Sequence, residues 1–206
     1  MDFFESLPEP PPPPSPVRPV WMKPAAALPA GLAENAILVR DEQIAVSIGS
    51  LSVYPNGFEF FMHIRSRGDA DTANPFGHRR YADYIKDSDE GAPDPSQALR
   101  LGIQFADGRR TASTRPSSHS PGVHREPGEL VMLPGAGGGG GRFWDLSYWI
   151  HPLPPQGPVT IVVSWLAQGI TEVRHDMDGA GILAAAEQAV QLWPEEPLGG
   201  WIGSQP

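Results

Sequence analysis

The chain has 206 residues, 40% of them hydrophobic and 19% charged, a balance that suits one ordinary hydrophobic core with unstructured flanks. Its 23 glycines and 25 prolines favour turns over long helices and argue against a helical bundle. The formal net charge of −9 argues against a nucleic-acid partner, because phosphate binding requires a basic surface.

Targeting and redox signals are few. No stretch approaches the ~20 apolar residues that cross a bilayer, and the acidic start MDFFESLPEPPPPP lacks the order of a signal peptide. We therefore expect a cytoplasmic protein without membrane insertion. The absence of cysteine excludes disulfides, thiol catalysis and cysteine-based zinc sites.

A proline-rich segment opens the chain. Nine prolines between Leu7 and Pro24 favour polyproline II, so residues 1–30 are predicted to form a disordered arm. A solvated spacer is the favoured interpretation, and the alternative is a docking peptide for proline-recognition domains or another partner. The candidate docking residues are Phe3, Phe4, Pro13, Pro16 and Arg18.

Residues 43–67 carry the clearest strand pattern. Apolar side chains alternate from Ile44, and the alternation changes phase at Gly49–Ser50, which predicts a β-bulge. The sequence YPNG at 54–57 predicts a hairpin turn. In the second strand, Glu59, His63 and Arg65, with Arg67 beyond it, are predicted to share a solvated outer face.

The remaining elements are predicted to be mainly strands. These lie at about 99–105, 109–114 (an edge strand), 130–133, 142–150, 158–166 (central) and 171–177, with long polar loops at 68–97 and 115–128. Asp178 predicts the N-cap of a helix over 179–193. Its apolar face would comprise Ile182, Ala186, Ala189, Val190 and Trp193.

This order of elements predicts an all-β fold, mainly an antiparallel β-sandwich of immunoglobulin-like type with one C-terminal helix. A distorted barrel is the alternative. The domain would span residues 31–194, with a flexible tail at 195–206. The absence of alternating strands and helices argues against a parallel dinucleotide-binding fold.

Six glycines stand among the seven residues Gly135 to Gly141. A phosphate-binding loop requires Lys-Ser/Thr and a helix after its glycines, whereas Arg142, Phe143 and a strand pattern follow here. No G-x-S-x-G serine motif accompanies the tract. The prediction is a flexible loop between two strands.

The strand after these glycines carries large aromatics on both faces. Core packing is favoured for them, while the alternative is an exposed group that stacks on a sugar ring or a partner. That candidate ligand site comprises Arg142, Phe143, Asp145, Trp149 and His151. The six histidines form no metal-binding motif and no catalytic constellation is evident, so no metal, cofactor or catalytic residue is predicted.

The motifs YPNGFEF, WDLSYWIHPLPPQGPVTIVVSW and AAEQAVQLWPEE resemble a group of proteins of unknown function from high-GC actinobacteria, over most of residues 35–196. The resemblance implies a self-standing bacterial domain and no activity. We predict a non-catalytic interaction module whose partner is another protein. The alternatives are a small-ligand or carbohydrate-binding protein and a hydrolase with a spatially assembled site.

Overall fold

The computed structural model describes residues 18–67, 74–76, 97–113 and 125–194. Phe3, Phe4, Pro13, Pro16, the tail at 195–206 and most of both polar loops lie outside these ranges. Within them the strands are β1 (Ala27–Leu28), β2 (Ala30–Leu32), β3 (Ala36–Arg40), β4 (Ile44–Tyr54), β5 (Gly57–Ser66), β6 (Arg100–Phe105), β7 (Arg110–Ala112), β8 (Val131–Gly140), β9 (Phe143–His151), β10 (Pro158–Trp165), β11 (Ile170–Asp178) and β12 (Val190–Gln191). The α-helix is α1 (Gly179–Ala186).

Two antiparallel sheets enclose the core. One has the order β2-β4-β5-β9-β8, with β3 also paired to β4, and the other has the order β11-β10-β6-β7. Alternate side chains of both sheets, including Phe60, Ile103 and Trp165, are fully buried between them. The predicted antiparallel sandwich is confirmed, and the sheets do not close into a barrel.

The eight strands from β4 to β11 follow an immunoglobulin-like order. Labelled A, B, C, C′, D, E, F and G along the chain, they form one sheet A-B-E-D and a second sheet G-F-C-C′. Hairpins therefore alternate between the sheets, which places the central pairs β5–β9 and β6–β10 far apart in sequence. The central position predicted for β10 is confirmed.

The β4–β5 hairpin forms as its sequence predicts. Tyr54 pairs with Gly57 across the YPNG turn, and the register shifts between Ile48 and Leu51, at the predicted bulge. The bulge shifts the inward–outward alternation of side chains by one residue. Ile48 and Leu51, although three residues apart, therefore both point into the core.

The helix is shorter than predicted. Asp178 caps α1 by accepting a hydrogen bond from the backbone of Ala180 at 3.0 Å, but the helix ends at Ala186 rather than at residue 193. Val190–Gln191 instead pairs with β1 as strand β12, which leaves Val190 51% and Trp193 59% exposed. The predicted apolar helix face over 186–193 is therefore wrong. Residues 190–191 form a strand paired with β1 instead of a helix packed on the core.

The described part of the chain contains no helix long and apolar enough to cross a membrane.

Candidate functional site

The outer face of the β2-β4-β5-β9-β8 sheet is divided into a covered half and an open half. The segment 18–26, named here the N-terminal strap, covers the first half. The Trp149 indole donates to the backbone oxygen of Trp21 at 2.8 Å, and the Asn56 amide donates to the backbone oxygen of Val20 at 2.7 Å. The strap buries a second apolar cluster of Trp21, Tyr54, Val131, Leu133 and Trp149.

The disordered arm predicted for residues 1–30 is therefore wrong from residue 18 onward. Trp21 is only 6% exposed and the guanidinium of Arg125 lies 4.9 Å from its ring centroid. Arg18 binds the backbone oxygen of Lys23 through Nε at 3.1 Å. Burial of Trp21 supplies the apolar contact that a solvated proline-rich segment lacks.

Of the two tryptophans of β9, Trp149 is buried and Trp144 is half-buried. Trp149 is 3% exposed beneath the strap, so its packing interpretation is confirmed and its ring cannot stack on a ligand. Trp144 points to the other side of β9, packs against the main core and contacts Phe76 edge to face at 5.5 Å. Phe143 alone among the large aromatics of β9 is exposed, at 52%.

An ion pair fixes the strap to β5. The Lys23 ammonium lies 2.5 Å from a carboxylate oxygen of Glu59, whose side chain is 11% exposed. Burial lowers the pKa of Lys23, but the hydrogen bond and charge of Glu59, assisted by Tyr54, outweigh burial and raise this pKa above its ordinary value of 10.5. The pair therefore stabilises the strap as long as Lys23 is protonated.

Replacing Lys23 by Met is expected to lower the free energy of unfolding by about 1–2 kcal/mol at neutral pH, since Glu59 loses its partner. The loss is smaller than for a fully buried pair because the Lys23 side chain is 38% exposed. The folded-state pKa exceeds the unfolded value, so the contribution is complete below pH 10.5 and is lost as the pH rises through the folded-state pKa. Urea unfolding at neutral pH and above the folded-state pKa would measure both effects.

The matched control is Arg40→Met, which removes a cation from an exposed position on β3. It is expected to change the free energy of unfolding by no more than about 0.5 kcal/mol. A Lys23→Met effect of the same size at both pH values would contradict the ion-pair interpretation.

The open half of this face carries a three-residue charge cluster on β5 and β9. His63 and Asp145 are directly opposite each other in the sheet. One Asp145 oxygen, Oδ1, accepts from His63 Nδ1 at 2.6 Å and from Arg65 Nη2 at 2.7 Å. Burial raises the pKa of Asp145, but these two hydrogen bonds and charges outweigh it and lower the pKa below 3.8.

Two aromatic rings flank the cluster. The Phe61 ring stacks on His63 with centroids 6.3 Å apart, and the Arg65 guanidinium lies 5.9 Å from the centroid of Phe143. Phe61 is 38% exposed. We call these five residues the open patch: Phe61, His63, Arg65, Phe143 and Asp145.

The five residues of the predicted ligand site are not brought together. Phe143 and Asp145 lie in the open patch, and Arg142 is exposed in the β8–β9 turn beside them. Trp149 lies beneath the strap, and His151 binds the backbone oxygen of Asn56 through Nδ1 at 2.7 Å at the far end of β9. Burial lowers the pKa of His151 and outweighs this hydrogen bond, which raises it. The strap therefore separates the predicted site into two parts.

The charge cluster orients an imidazole but lacks a nucleophile. His63 Nε2 lies over Gly49, where a Cβ atom would be 2.6 Å from it. Among the described residues no hydroxyl group is hydrogen-bonded to Nε2. The same residues hold no group of three or more His, Asp or Glu side chains arranged to bind a metal. As described, the cluster is an ion-pair network that can contact a polar partner.

The glycine tract beside the open patch forms a strand, and its predicted loop is wrong. β8 runs to Gly140 and pairs with β9 from Val131 opposite His151 to Gly140 opposite Phe143, with one register shift between Pro134 and Gly137. Its glycines allow this close pairing: a Cβ atom at Gly139 would collide with the backbone of Phe143. Pairing with an aromatic-rich neighbour therefore overrides the low strand propensity of glycine.

The far side of β8 is a sheet edge. Among the strands that the structure describes, β8 pairs with β9 alone, and residues 136–140 are exposed. At Gly138 and Gly140 an added Cβ atom would meet no atom within 4 Å. No side chain of residues 137–140 shields the main chain of this edge.

The other described sheet edges are protected in known ways. β7 has only three residues, and β2 contacts α1. β3 contacts β11, whose outer side chains Glu172, Arg174 and Asp176 are charged. Short length, a covering element and charged side chains all discourage the addition of a further strand. Of the described sheet edges, the glycine end of β8 has none of these protections.

Comparison of the chain with protein-family models, curated proteins and solved structures found no significant match. The resemblance to actinobacterial proteins therefore stays a prediction, and the geometry of the chain carries the functional argument.

Proposed function

We propose that this protein is a cytoplasmic, non-catalytic interaction module that binds an extended segment of a partner protein as an added strand on β8. One observation carries the proposal: the last four residues of this edge strand, Gly137–Gly140, expose their main chain and have no side chains to shield it. In strand addition, main-chain hydrogen bonds supply affinity and neighbouring side-chain sites supply specificity.

The open patch supplies the neighbouring contacts. Gly140 and Gly138 are opposite Phe143 and Asp145, so an added strand would be two strand spacings, about 9.6 Å, from these two residues, with no side chain of β8 between them. Phe143 offers an exposed ring, while Arg142 and Arg65 place positive charge near it. A partner segment with an apolar or aromatic residue next to an acidic one fits this surface best.

The test begins with peptides selected on the immobilised full chain from a library of random 12-residue sequences, a length of about two ordinary strands. For a selected peptide, we expect slowed amide hydrogen exchange within 137–140 on binding. Gly137 is opposite Leu146, whose backbone faces β5, so the N–H of Gly137 points to the open edge. Gly137→Pro removes this main-chain donor and is expected to raise Kd by about tenfold or more, the equivalent of one or two hydrogen bonds.

Gly31→Pro is the matched control. Gly31 lies in β2, at another edge of the sheet, and an added Cβ there would meet no atom within 4 Å. It should leave Kd unchanged, and thermal unfolding would check that both variants fold. Gly140→Lys, which keeps the amide and guards the edge as natural edge strands do, is a second variant expected to weaken binding. Peptides that bind Gly137→Pro and Gly140→Lys as tightly as the original chain, or that protect other amides instead, would refute strand addition.

A further inference from the structure

The outer face of the second sheet, which does not include β8, contains a depression of about 390 Å³. Its residues come from all four strands, β11, β10, β6 and β7, so it lies across the middle of that sheet. The lining residues used below are Gly102, Gln104, Arg110, Thr111, Val162 and Arg174. Its volume falls in the range of small-ligand sites, roughly 300–1,000 Å³.

The depression exists because the centre of the sheet lacks a side chain. Gly102 on β6 is paired between Val162 and Ala112, and an added Cβ there would meet its nearest atoms at 3.6 Å, an ordinary contact. Neither backbone strain nor close packing therefore requires glycine at this position. The absent side chain leaves the floor of the depression open.

Two arginines line the depression from opposite edges. Arg110 lies on β7 and Arg174 on β11, three inter-strand spacings and two residues of strand offset apart, roughly 16 Å at the backbone. Arg110 forms no hydrogen bond or ion pair with the described residues. Arg174 uses Nε to bind Glu172 at 2.9 Å, and the described residues give its two terminal amino groups no partner.

The other polar groups on this face are already engaged. The Asp176 carboxylate accepts from the Thr160 hydroxyl at 2.6 Å, and Arg100 donates to Ser164 at 2.9 Å. Gln104 lies between the two lining arginines, and its amide, which can both donate and accept, forms no hydrogen bond with the described residues.

We propose that this depression binds a small molecule with an anionic group at each end, one on Arg110 and the other on Arg174, with its polar centre above Gly102 beside Gln104. Guanidinium groups bind carboxylate and phosphate through the same paired N–H donors, so the shared chemistry is a doubly anionic ligand. The site does not depend on strand addition at β8, since it lies on the other sheet.

The test is an NMR titration of the ¹⁵N-labelled full chain at constant ionic strength with adipate, 3-phosphoglycerate and, as a singly charged reference, acetate. We expect at least one of adipate and 3-phosphoglycerate, each with an anionic group at both ends, to shift the amides of Gly102, Gln104 and Thr111 and to bind about tenfold more tightly than acetate. Tighter binding of 3-phosphoglycerate would assign phosphate to one end, and tighter binding of adipate would assign two carboxylates.

Four variants make the test specific. Arg110→Gln and Arg174→Gln should each weaken binding of adipate or 3-phosphoglycerate several-fold, whereas Arg40→Gln, with the same change of charge on β3, should not. Gly102→Val fills the floor and should abolish binding while the amide spectrum stays that of a folded chain. Binding of both adipate and 3-phosphoglycerate no tighter than that of acetate, or Arg110→Gln and Arg174→Gln effects no larger than that of Arg40→Gln, would overturn the proposal.

Discussion

Replacing Trp149 by Ala is expected to lower the free energy of unfolding by about 3–5 kcal/mol, the usual cost of removing a buried large aromatic side chain. The indole is 3% exposed, its ring contacts Tyr54 edge to face at 5.6 Å, and its N–H holds the backbone of Trp21. The variant therefore leaves a cavity and also releases the N-terminal strap. Urea unfolding followed by circular dichroism would measure the change.

Trp193→Ala is the matched control, because Trp193 is 59% exposed beyond β12. We expect its free energy of unfolding to stay within about 0.5 kcal/mol of the original value. If Trp149→Ala were equally mild, Trp149 would not be a buried anchor. It would then be available again as the stacking ring that the sequence offered as the alternative.

The sequence predicts the parts of the fold that depend on local patterns of residues. Period-two alternation identifies β4, β5 and β10, and the phase change at Gly49–Ser50 locates the bulge, because each signal acts over a few residues. Strand order does not follow from such signals. The pairing of Glu59 with Trp149 joins residues far apart in sequence. Which hairpin belongs to which sheet can therefore be seen only in the folded structure.

The candidate site is less predictable because its parts depend on tertiary partners. Glycine has low strand propensity, and only the ladder with β9 makes the tract at 137–140 a strand. Trp21 and Met22, apolar residues at the end of the proline-rich segment, were the available signal for the strap. The pairing of His63 with Asp145 had no sequence signal, since its residues lie on strands of two separate hairpins.

Gly57→Ala is expected to destabilise the protein by about 3 kcal/mol, at the upper end of the cost of overpacking. An added Cβ would overlap the backbone oxygen of Ile150 and lie 2.7 Å from two ring atoms of Trp149. A backbone oxygen in a central strand cannot rotate away as a flexible side chain can. The β4–β5 turn would have to separate from β9, which also disturbs Asn56, a residue that holds the strap.

Gly31→Ala separates this steric effect from the general loss of a glycine. Gly31 lies in β2 with no atom within 4 Å of an added Cβ, so Ala there should leave the protein as stable or stabilise it by up to about 1 kcal/mol. Thermal and urea unfolding of both variants would give the comparison. Similar stabilities for Gly57→Ala and Gly31→Ala would mean that the turn does not pack against Ile150 and Trp149, and the strap would then lack the rigid surface that holds it over half of the sheet.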